Sequence, residues 1–511
     1  MPVSQQGAIN ANALIVPDLY VQIVPPSNTL INGVPTNILG AVGTAQWGPV
    51  NAPTAVGTMA DFGRLFGALQ NRLYDLGTFV AAAVLQGANN FRCVRVTDGT
   101  DTAATGTLTA SSAADATAIA AAINSGQSGL RGPSQFVVAS ASTTTVTVTA
   151  KYTGSLGNAL AVSIGAGSKA GTSRVTVALP GQSPEAFDNL GAAAATAATA
   201  TMAGGTDGAS TITSSVLLGV DTTPRKGMYA LRNTGASIAA LVDLSDVTSF
   251  TTQVAFGLSE GIYMVGVTPV GDSVATAVAA KATAGIDSYA FKCLLGDWVY
   301  WQDTVNGVTR LISPQGFFCG RLANLSPEQS SLNKQIYGIV GTQKSYQNLV
   351  YSSAELAQLG QAGIDVITNP SPGGNYFSAR FGHNSSSNPV VQGDSYTRMT
   401  NYIAYTINAS MGKYVGALQS RQKNDPTRLN AKASLDSFLE NLRTPTSGTG
   451  YGMIDDYQVI LDKSNNSDSR IALGYMQADC KVIYLGIVEK FLVNIEGGQS
   501  VTIARQSTAL A

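Results

Sequence analysis

Each end of the chain carries a short segment of high β-propensity that has no neighbouring strand in the sequence. The β-prone residues are Tyr20, Val21 and Ile23 in the first segment, and Val501 and Ile503 in the last. Prolines around the first segment exclude a helix and a central strand; they are Pro17, Pro25, Pro26 and Pro35. An unpaired strand exposes backbone N–H and C=O groups that seek partners. We therefore expect both segments to be arms that add strands to the sheets of other copies, with pairing inside one chain as the open alternative.

A receiving strand is expected close to the second arm. Residues 481–494 form a long β-prone run, and the predicted acceptor strand within it is Val482, Ile483, Tyr484 and Leu485. A donor and an acceptor on different surfaces of one molecule make a heterologous contact. Repeating such a contact builds rings or open helical arrays instead of closed dimers. The two ends of the chain therefore favour a self-assembling protein.

The scarcity of charge supports the same interpretation. Only 12% of the 511 residues are charged, and the net charge is −1. Globular proteins carry about twice that fraction, and a free monomer uses charged residues to stay soluble. The composition therefore favours a surface that is largely covered by other copies. Lysine and arginine form no cluster that could displace counterions from nucleic acid, so direct binding to DNA or RNA is not expected.

The sequence contains no signal for secretion or for membrane insertion. The amino-terminal segment lacks a basic start and a continuous apolar stretch, and no run of about 18 apolar residues occurs. The cysteines are far apart and are predicted to be buried thiols, without disulfides or metal; they are Cys93, Cys293, Cys319 and Cys480. We expect the protein to fold in a cytoplasm.

A search for catalytic residues finds no constellation. His383 is the only histidine, which excludes a two-histidine zinc site and leaves a Ser-His-Asp triad one possible base. Its polar surroundings predict a solvated loop residue. Neither a G-x-S-x-G elbow nor a G-x-x-x-x-G-K-[ST] phosphate loop occurs. We therefore predict that the protein is not an enzyme and uses no cofactor or metal.

The first compact region has the pattern of a β-α-β unit. A strand is predicted at residues 38–43, a helix at 71–86 with Leu73 on its apolar face, and a strand at 91–96. Further on, a period of two at 142–149 predicts a half-buried strand. The remaining predicted elements are a strand at 263–267, a helix at 272–284, a hairpin at 298–312 with a type I′ turn at Asn306-Gly307, two helices within 394–442, and strands at 453–461, 471–477 and 481–494.

A series of short motifs occurs in order along the amino-terminal half of the chain. They are PDLYV at 17–21, AVGTAQWGPVNAP at 41–53, DFGRLFG at 61–67, YTGSLGN at 152–158, EAFDNL at 185–190, AGGTDG at 203–208 and TPRKGMYALR at 223–232. Each motif is weak alone, but the ordered series resembles the tail sheath proteins of contractile bacterial viruses, the myoviruses.

The resemblance implies an α+β multidomain fold. It has an inner α/β core domain built from both chain ends, a middle α/β domain, a β-rich peripheral insertion, and extended N- and C-terminal arms. The predicted boundaries are an arm at 1–35, the inner core domain at 36–96 and 371–498, the insertion at 97–205, the middle domain at 206–370 and the second arm at 499–511.

The resemblance also implies a structural function. Copies would form stacked hexameric rings around a tail tube in a metastable extended state, and would contract by rigid-body rotation to drive the tube through the host envelope for genome delivery. The expected partners are the tail tube, baseplate and tail terminator proteins, in a virion tail assembled in the host cytoplasm. A surface-layer or adhesin-like self-assembling protein stays the alternative. Its composition would be similar, but no secretion signal supports it.

Overall fold

The structure, a computed structural model, describes residues 3–4, 21–22, 31–445 and 450–495. Four of the five predicted arm residues lie outside these ranges; they are Tyr20, Ile23, Val501 and Ile503. The fifth, Val21, belongs to the strand β2 (Val21–Gln22), which pairs in parallel with β1 (Val3–Ser4). In the isolated molecule the first arm therefore pairs within its own chain at this point.

The region from residue 31 to residue 95 contains the predicted β-α-β unit. Its elements are β3 (Leu39–Gly43), β4 (Thr54–Val56), α1 (Met59–Phe66), α2 (Leu76–Val84) and β5 (Phe91–Arg95). Helix α2 begins later than predicted because the Asp75 carboxylate caps it, accepting a hydrogen bond from the Thr78 N–H at 2.8 Å. Leu73 lies before the helix and is exposed, so its predicted place on the apolar face is wrong.

The next region folds around a hydrophobic core of its own. Its elements are β6 (Thr105–Thr109), α3 (Ala113–Ser125), β7 (Val137–Ser142), β8 (Thr145–Ala150), β9 (Ala161–Ala166), β10 (Ser173–Ala178), β11 (Glu185–Leu190) and β12 (Ala198–Ala200). They form two sheets with the orders β6-β8-β7 and β11-β10-β9-β12. The predicted strand at 142–149 is divided by a turn, in which Thr143 has a φ of +52°.

The two ends of this region lie side by side. Isolated bridges join Thr102 to Thr206 and Thr105 to Ala203. The Arg72 guanidinium then holds the Asp207 carboxylate at 2.6 Å, which ties this root to the first region. The chain therefore enters and leaves the region at one place.

The middle of the chain alternates strands and helices. Its elements are α4 (Ser214–Leu218), β13 (Ile238–Leu241), α5 (Phe250–Glu260), β14 (Tyr263–Val267), α6 (Val274–Thr283), β15 (Phe291–Leu294), β16 (Val299–Asp303), β17 (Val308–Ile312), α7 (Gln315–Asn324), β18 (Ile339–Thr342), α8 (Gln343–Tyr346), α9 (Ser353–Ala362), β19 (Ile364–Asp365), β20 (Ile367–Thr368) and β21 (Ser378–Ala379). The strand predicted at 263–267 and the helix predicted at 272–284 are present as β14 and α6.

One seven-stranded sheet unites the first and middle regions. Its order is β19-β15-β14-β13-β3-β5-β4, and every pair except β4–β5 is parallel. Strands such as β3 are buried throughout because separate apolar clusters cover the two faces of the sheet. The strands of 36–96 therefore pair with those of the middle region. Parallel partners are distant in sequence, so this pairing leaves no local signal. The grouping of 36–96 with 371–498 in one inner core domain stays a prediction.

The predicted hairpin is present as β16 and β17, but its turn differs. Four residues, 304–307, connect the strands, and of these only Gly307 has a positive φ, +68°. A type I′ turn needs a positive φ at both central residues. Instead, the Asp303 carboxylate accepts hydrogen bonds from the N–H groups of Val305 and Asn306, both at 3.0 Å. The side chain of Asp303 thus organises a longer loop.

The last described region packs two helices against a small sheet. Its elements are α10 (Asp394–Met411), α11 (Pro426–Arg443), β22 (Ile454–Ile460), α12 (Asp468–Ala472) and β23 (Asp479–Tyr484). Both predicted helices are present, with Met399 and Leu439 in a shared core. The strand predicted at 471–477 is wrong, because Ser467 caps a helical turn there. The strand predicted at 481–494 begins at Asp479 and ends at Tyr484.

Two further predictions concern thiols and membranes. Cys93, Cys293 and Cys319 are buried as predicted, whereas Cys480, near the start of β23, is exposed. Within the described ranges, no helix combines the length and the apolar character needed to cross a bilayer.

Candidate interaction site

The predicted acceptor strand lies in a sheet of only two strands. Strands β22 and β23 run antiparallel, with Ile454 opposite Tyr484 and Ile460 opposite Asp479. Neither strand has a second partner among the described residues. Each therefore presents one edge of backbone N–H and C=O groups that could accept a further strand.

The residues of the acceptor strand alternate between the core and solvent. Val482 and Tyr484 pack against the core formed by α10 and α11. The Tyr484 hydroxyl lies 3.0 Å from the Thr400 hydroxyl, and its ring meets Tyr396 edge-on. Ile483 faces outward and is 56% exposed. Of the four predicted acceptor residues, three are in β23 and the fourth, Leu485, follows its end.

Beyond β23 the chain continues as residues 485–495, here called the C-terminal segment. It has no helix or strand, and none of its backbone groups forms a hydrogen bond with another described residue. Large apolar side chains in it are strongly exposed; they are Val488, Phe491, Leu492, Val493 and Ile495. An exposed apolar run of this length is typical of a surface that another molecule covers.

A groove of about 920 Å³ separates the C-terminal segment from the body. Leu332 and Tyr451 line the body side, and Ile487 and Phe491 line the segment side. Charged side chains of both signs are also among the lining residues; they are Glu328, Lys334, Arg380, Asp455 and Glu489. The groove is thus lined by apolar and charged side chains from both the segment and the body.

His383 contacts Glu489, one of the residues that line this groove, and is not the solvated loop residue that the sequence predicts. Its side chain is 12% exposed, and Nε2 lies 2.9 Å from the Glu489 carboxylate of the C-terminal segment. Its carbonyl oxygen accepts a hydrogen bond from Lys292 Nζ at 2.9 Å. The histidine therefore connects the segment to the interior.

That interior contains a buried ionic cluster, which the sequence analysis missed. Lys292 of β15 contacts the carboxylates of Asp365 at 2.7 Å and Asp394 at 3.1 Å, and all three side chains are fully buried. Tyr263 and Ser331 donate further hydrogen bonds to Asp394. The only signal in the sequence is a lysine and an aspartate, each within an apolar strand, since the partners lie far apart along the chain.

The groups of the cluster shift one another's pKa values. Burial alone would lower the pKa of Lys292, but the two carboxylates outweigh it and raise the pKa. Burial alone would raise the pKa of Asp394, but Lys292 and the hydroxyl donors hold it below its usual value. Lys292 and Asp394 therefore stay charged, and the cluster fastens the first turn of α10 to the central sheet.

A second acidic group occupies the place where open α/β sheets bind ligands. The chain leaves β3 and β13 toward opposite sides of the sheet, and ligands usually bind at the carboxyl ends of such a pair. Here Asp243 follows β13 and accepts a hydrogen bond from the Tyr74 N–H at 3.0 Å. Burial, with the nearby Asp75 charge, raises the pKa of Asp243 to about 7. The chain's own groups thus fill this position, and the described residues contain no group of three potential metal ligands.

Comparisons with known proteins identify the fold. No family model matches the sequence, and no curated protein matches it. Among solved structures, the sheath tail protein of Listeria innocua aligns with a TM-score of 0.56 at 14% identity, over 89% of this chain and 96% of that one. The sheath tail protein of Desulfitobacterium hafniense aligns with a TM-score of 0.53 at 15% identity, over 86% and 93%.

A third structure comes from an injection machine. It is the contracted sheath complex of an extracellular contractile injection system, PVC, with a TM-score of 0.52 at 11% identity over 94% of this chain and 97% of that one. Three alignments that each cover most of both chains agree on one architecture. The chain therefore has the fold of the contractile tail sheath proteins.

Proposed function

We propose that this chain is the structural subunit of a contractile tail sheath. The observation that carries the proposal is the two-stranded sheet β22–β23, which has an open edge on each strand and an exposed apolar segment leaving from its end. Such a subunit is incomplete alone, because the segment and the open edges each lack a partner among the residues that the structure describes. Copies of the same chain supply both.

In the proposed assembly, arms of neighbouring copies extend the small sheet. The second arm, with Val501 and Ile503, and the first arm, with Tyr20, Val21 and Ile23, are the donors. The acceptor is β23 with Val482, Ile483 and Tyr484, together with Leu485 directly after it. Because donor and acceptor are different surfaces, the contact is heterologous and produces stacked rings, hexameric in this proposal, and not closed dimers.

The rings surround a tail tube in an extended state that is trapped kinetically. On a signal from the baseplate, the bodies rotate outward as rigid units into a shorter, wider sheath, while the arms keep neighbours connected. Burying about 200 Å² more apolar surface per subunit would release about 5 kcal/mol at about 25 cal/mol/Å². Summed over a long sheath, this drives the tube through the host envelope for genome delivery.

The buried ionic cluster supports rigid rotation. It joins β15 and β19 of the central sheet to the start of α10, which belongs to the region that carries the arms. Separating these parts would expose or unpair buried charges, at a cost of about 3–5 kcal/mol. The regions on either side of the cluster therefore move together.

The tail tube, baseplate and tail terminator proteins are the proposed partners, and the virion tail, assembled in the host cytoplasm, is the proposed location. The region from 97 to 205 is proposed to face outward as the peripheral insertion. The subunit acts mechanically and catalyses no reaction in this proposal.

Electron microscopy of the purified chain tests the proposal. Full-length protein is expected to form striated tubes at high concentration, whereas a surface-layer protein would form flat lattices and an enzyme would stay dispersed. Deleting residues 1–22 or 500–511 is expected to leave a soluble, folded chain that forms no tubes. Normal tubes from both truncated chains would refute the arm mechanism, and dispersed full-length protein would refute the sheath function.

A further inference from the structure

The C-terminal segment is tied to the body at one polar contact. Glu489 Oε1 lies 2.9 Å from His383 Nε2, and no other hydrogen bond or ion pair joins residues 485–495 to the rest of the described chain. Gly486, near the start of the segment, has no atom within 4 Å of where a Cβ would lie. The segment could therefore pivot near Gly486 if the contact at Glu489 were lost.

Hydrogen bonds hold the backbone around His383 rigidly. Lys292 Nζ donates to its carbonyl oxygen, and the N–H of the preceding Gly382 donates to Asp365 at 2.9 Å. On the other side, the Asn384 N–H donates to the Gln392 carbonyl at 2.7 Å. The backbone around His383 is thus clamped on the fully buried ionic cluster. Its ring Nδ1 is buried without a partner, so Nε2 is the polar atom that faces the segment.

The contact is also suited to opening. The Glu489 side chain is 38% exposed, and ion pairs of such exposure are weak. His383 is held rigidly on the body, and Glu489 lies half-exposed on a segment with no other polar contact to the described chain. Their contact can therefore fix the position of the segment and still break.

We propose that His383 is a positioning residue for arm exchange: it anchors Glu489, and thereby sets the point and the direction in which residues 490–511 leave the body. Without the anchor, the departure point moves back from Glu489 to Leu485. Four more residues become free, which adds about 13 Å of slack at about 3.3 Å per residue. A neighbouring copy would then receive the arm in a variable position. This inference rests on the proposed sheath function.

Proteolysis of the dispersed, full-length chain tests the anchor itself. Trypsin cleaves after Lys490, the residue next to Glu489, and the rate depends on how freely the segment leaves the body. Glu489→Ala and His383→Ala are each expected to raise the rate of cleavage at Lys490 about fivefold. The exchanged pair His383→Glu with Glu489→His is expected to restore the wild-type rate. Asp468→Ala, which removes a surface ion pair with Lys463 in the same region, serves as the control and is expected to leave it unchanged.

Microscopy of the polymers tests the positioning role. Glu489→Ala is the decisive variant, because it lies on an exposed segment and leaves the buried cluster intact. It is expected to give shorter tubes with irregular striation, and the exchanged pair is expected to recover regular ones. Unchanged cleavage in both single variants, or regular tubes from a variant that is cleaved faster, would overturn the inference. A wild-type chain that forms no tubes would instead refute the sheath function.

Discussion

Replacing Asp243 by asparagine should stabilise the protein at high pH and have little effect at low pH. Its carboxyl is buried after β13, and its pKa rises from 3.8 to about 7. The folded state therefore favours the protonated carboxyl. The stability that Asp243 contributes is fully present below the pKa of its carboxyl in the unfolded chain. It is lost as the pH rises through the pKa of the same carboxyl in the folded protein. Asparagine cannot ionise, so the variant avoids this loss.

The size of the effect follows from the shift. About three pKa units at about 1.36 kcal/mol each set an upper limit of about 4 kcal/mol, and we expect about 2–4 kcal/mol of added stability at pH 8. The backbone should tolerate the change, because Asp243 has a φ of +55° and asparagine adopts that conformation readily.

Urea unfolding at pH 4 and pH 8 measures the effect. Trp298 and Trp301 are buried in the core of the central sheet, so their fluorescence reports the unfolding of this region. Asp246→Asn is the matched control: hydrogen bonds from Ser214 and Thr248 lower the pKa of Asp246, so this variant should lose stability at pH 8. Equal or lower stability of Asp243→Asn at pH 8 would refute the reasoning.

Three other predictions concern the buried groups. Lys292→Met should cost about 3–5 kcal/mol in urea unfolding because two buried carboxylates lose their cation, whereas the surface variant Lys344→Met should cost less than about 1 kcal/mol. Gly154→Ala should lower the unfolding free energy by about 2–3 kcal/mol, since its φ is +133° and a Cβ would lie 1.9 Å from a backbone oxygen; equal stability would contradict this. A thiol reagent should label Cys480 alone in the folded protein, because burial raises the pKa of Cys93 to about 12; mass spectrometry of labelled peptides checks it.

Local patterns predicted local structure well. Helices α10 and α11 were predictable because their apolar residues repeat at helical spacing over 18 residues each. The strand predicted at 471–477 failed because a short apolar run fits a strand or a helical turn equally. Side-chain hydrogen bonds favour the helical turn. Among them are those from the Asn466 amide to the carbonyl oxygens of Asp462 and Gln477.

Such local patterns do not predict contacts between residues that are far apart in the sequence. Lys292 contacts aspartates that are 73 and 102 residues away. No local sequence pattern around any of the three residues predicts this contact. The same limit explains why the sequence does not predict the pairing of β3 with β13. For the candidate site, the sequence predicted a strand where β23 lies, and its acceptor role stays a prediction. The contact between His383 and Glu489 was not predictable, because it depends on where the C-terminal segment lies.

The root of the region between residues 97 and 205 has a consequence for evolution and for engineering. Its entry and exit lie close together, because they are bridged at Thr102–Thr206 and Thr105–Ala203. The region also touches the first region beyond this root, where the Leu156 N–H donates to the Gln46 carbonyl and the Gln182 amide donates to the Arg64 carbonyl. Another module whose ends lie equally close could therefore be joined at this root, and its surface would need donors for these two carbonyls.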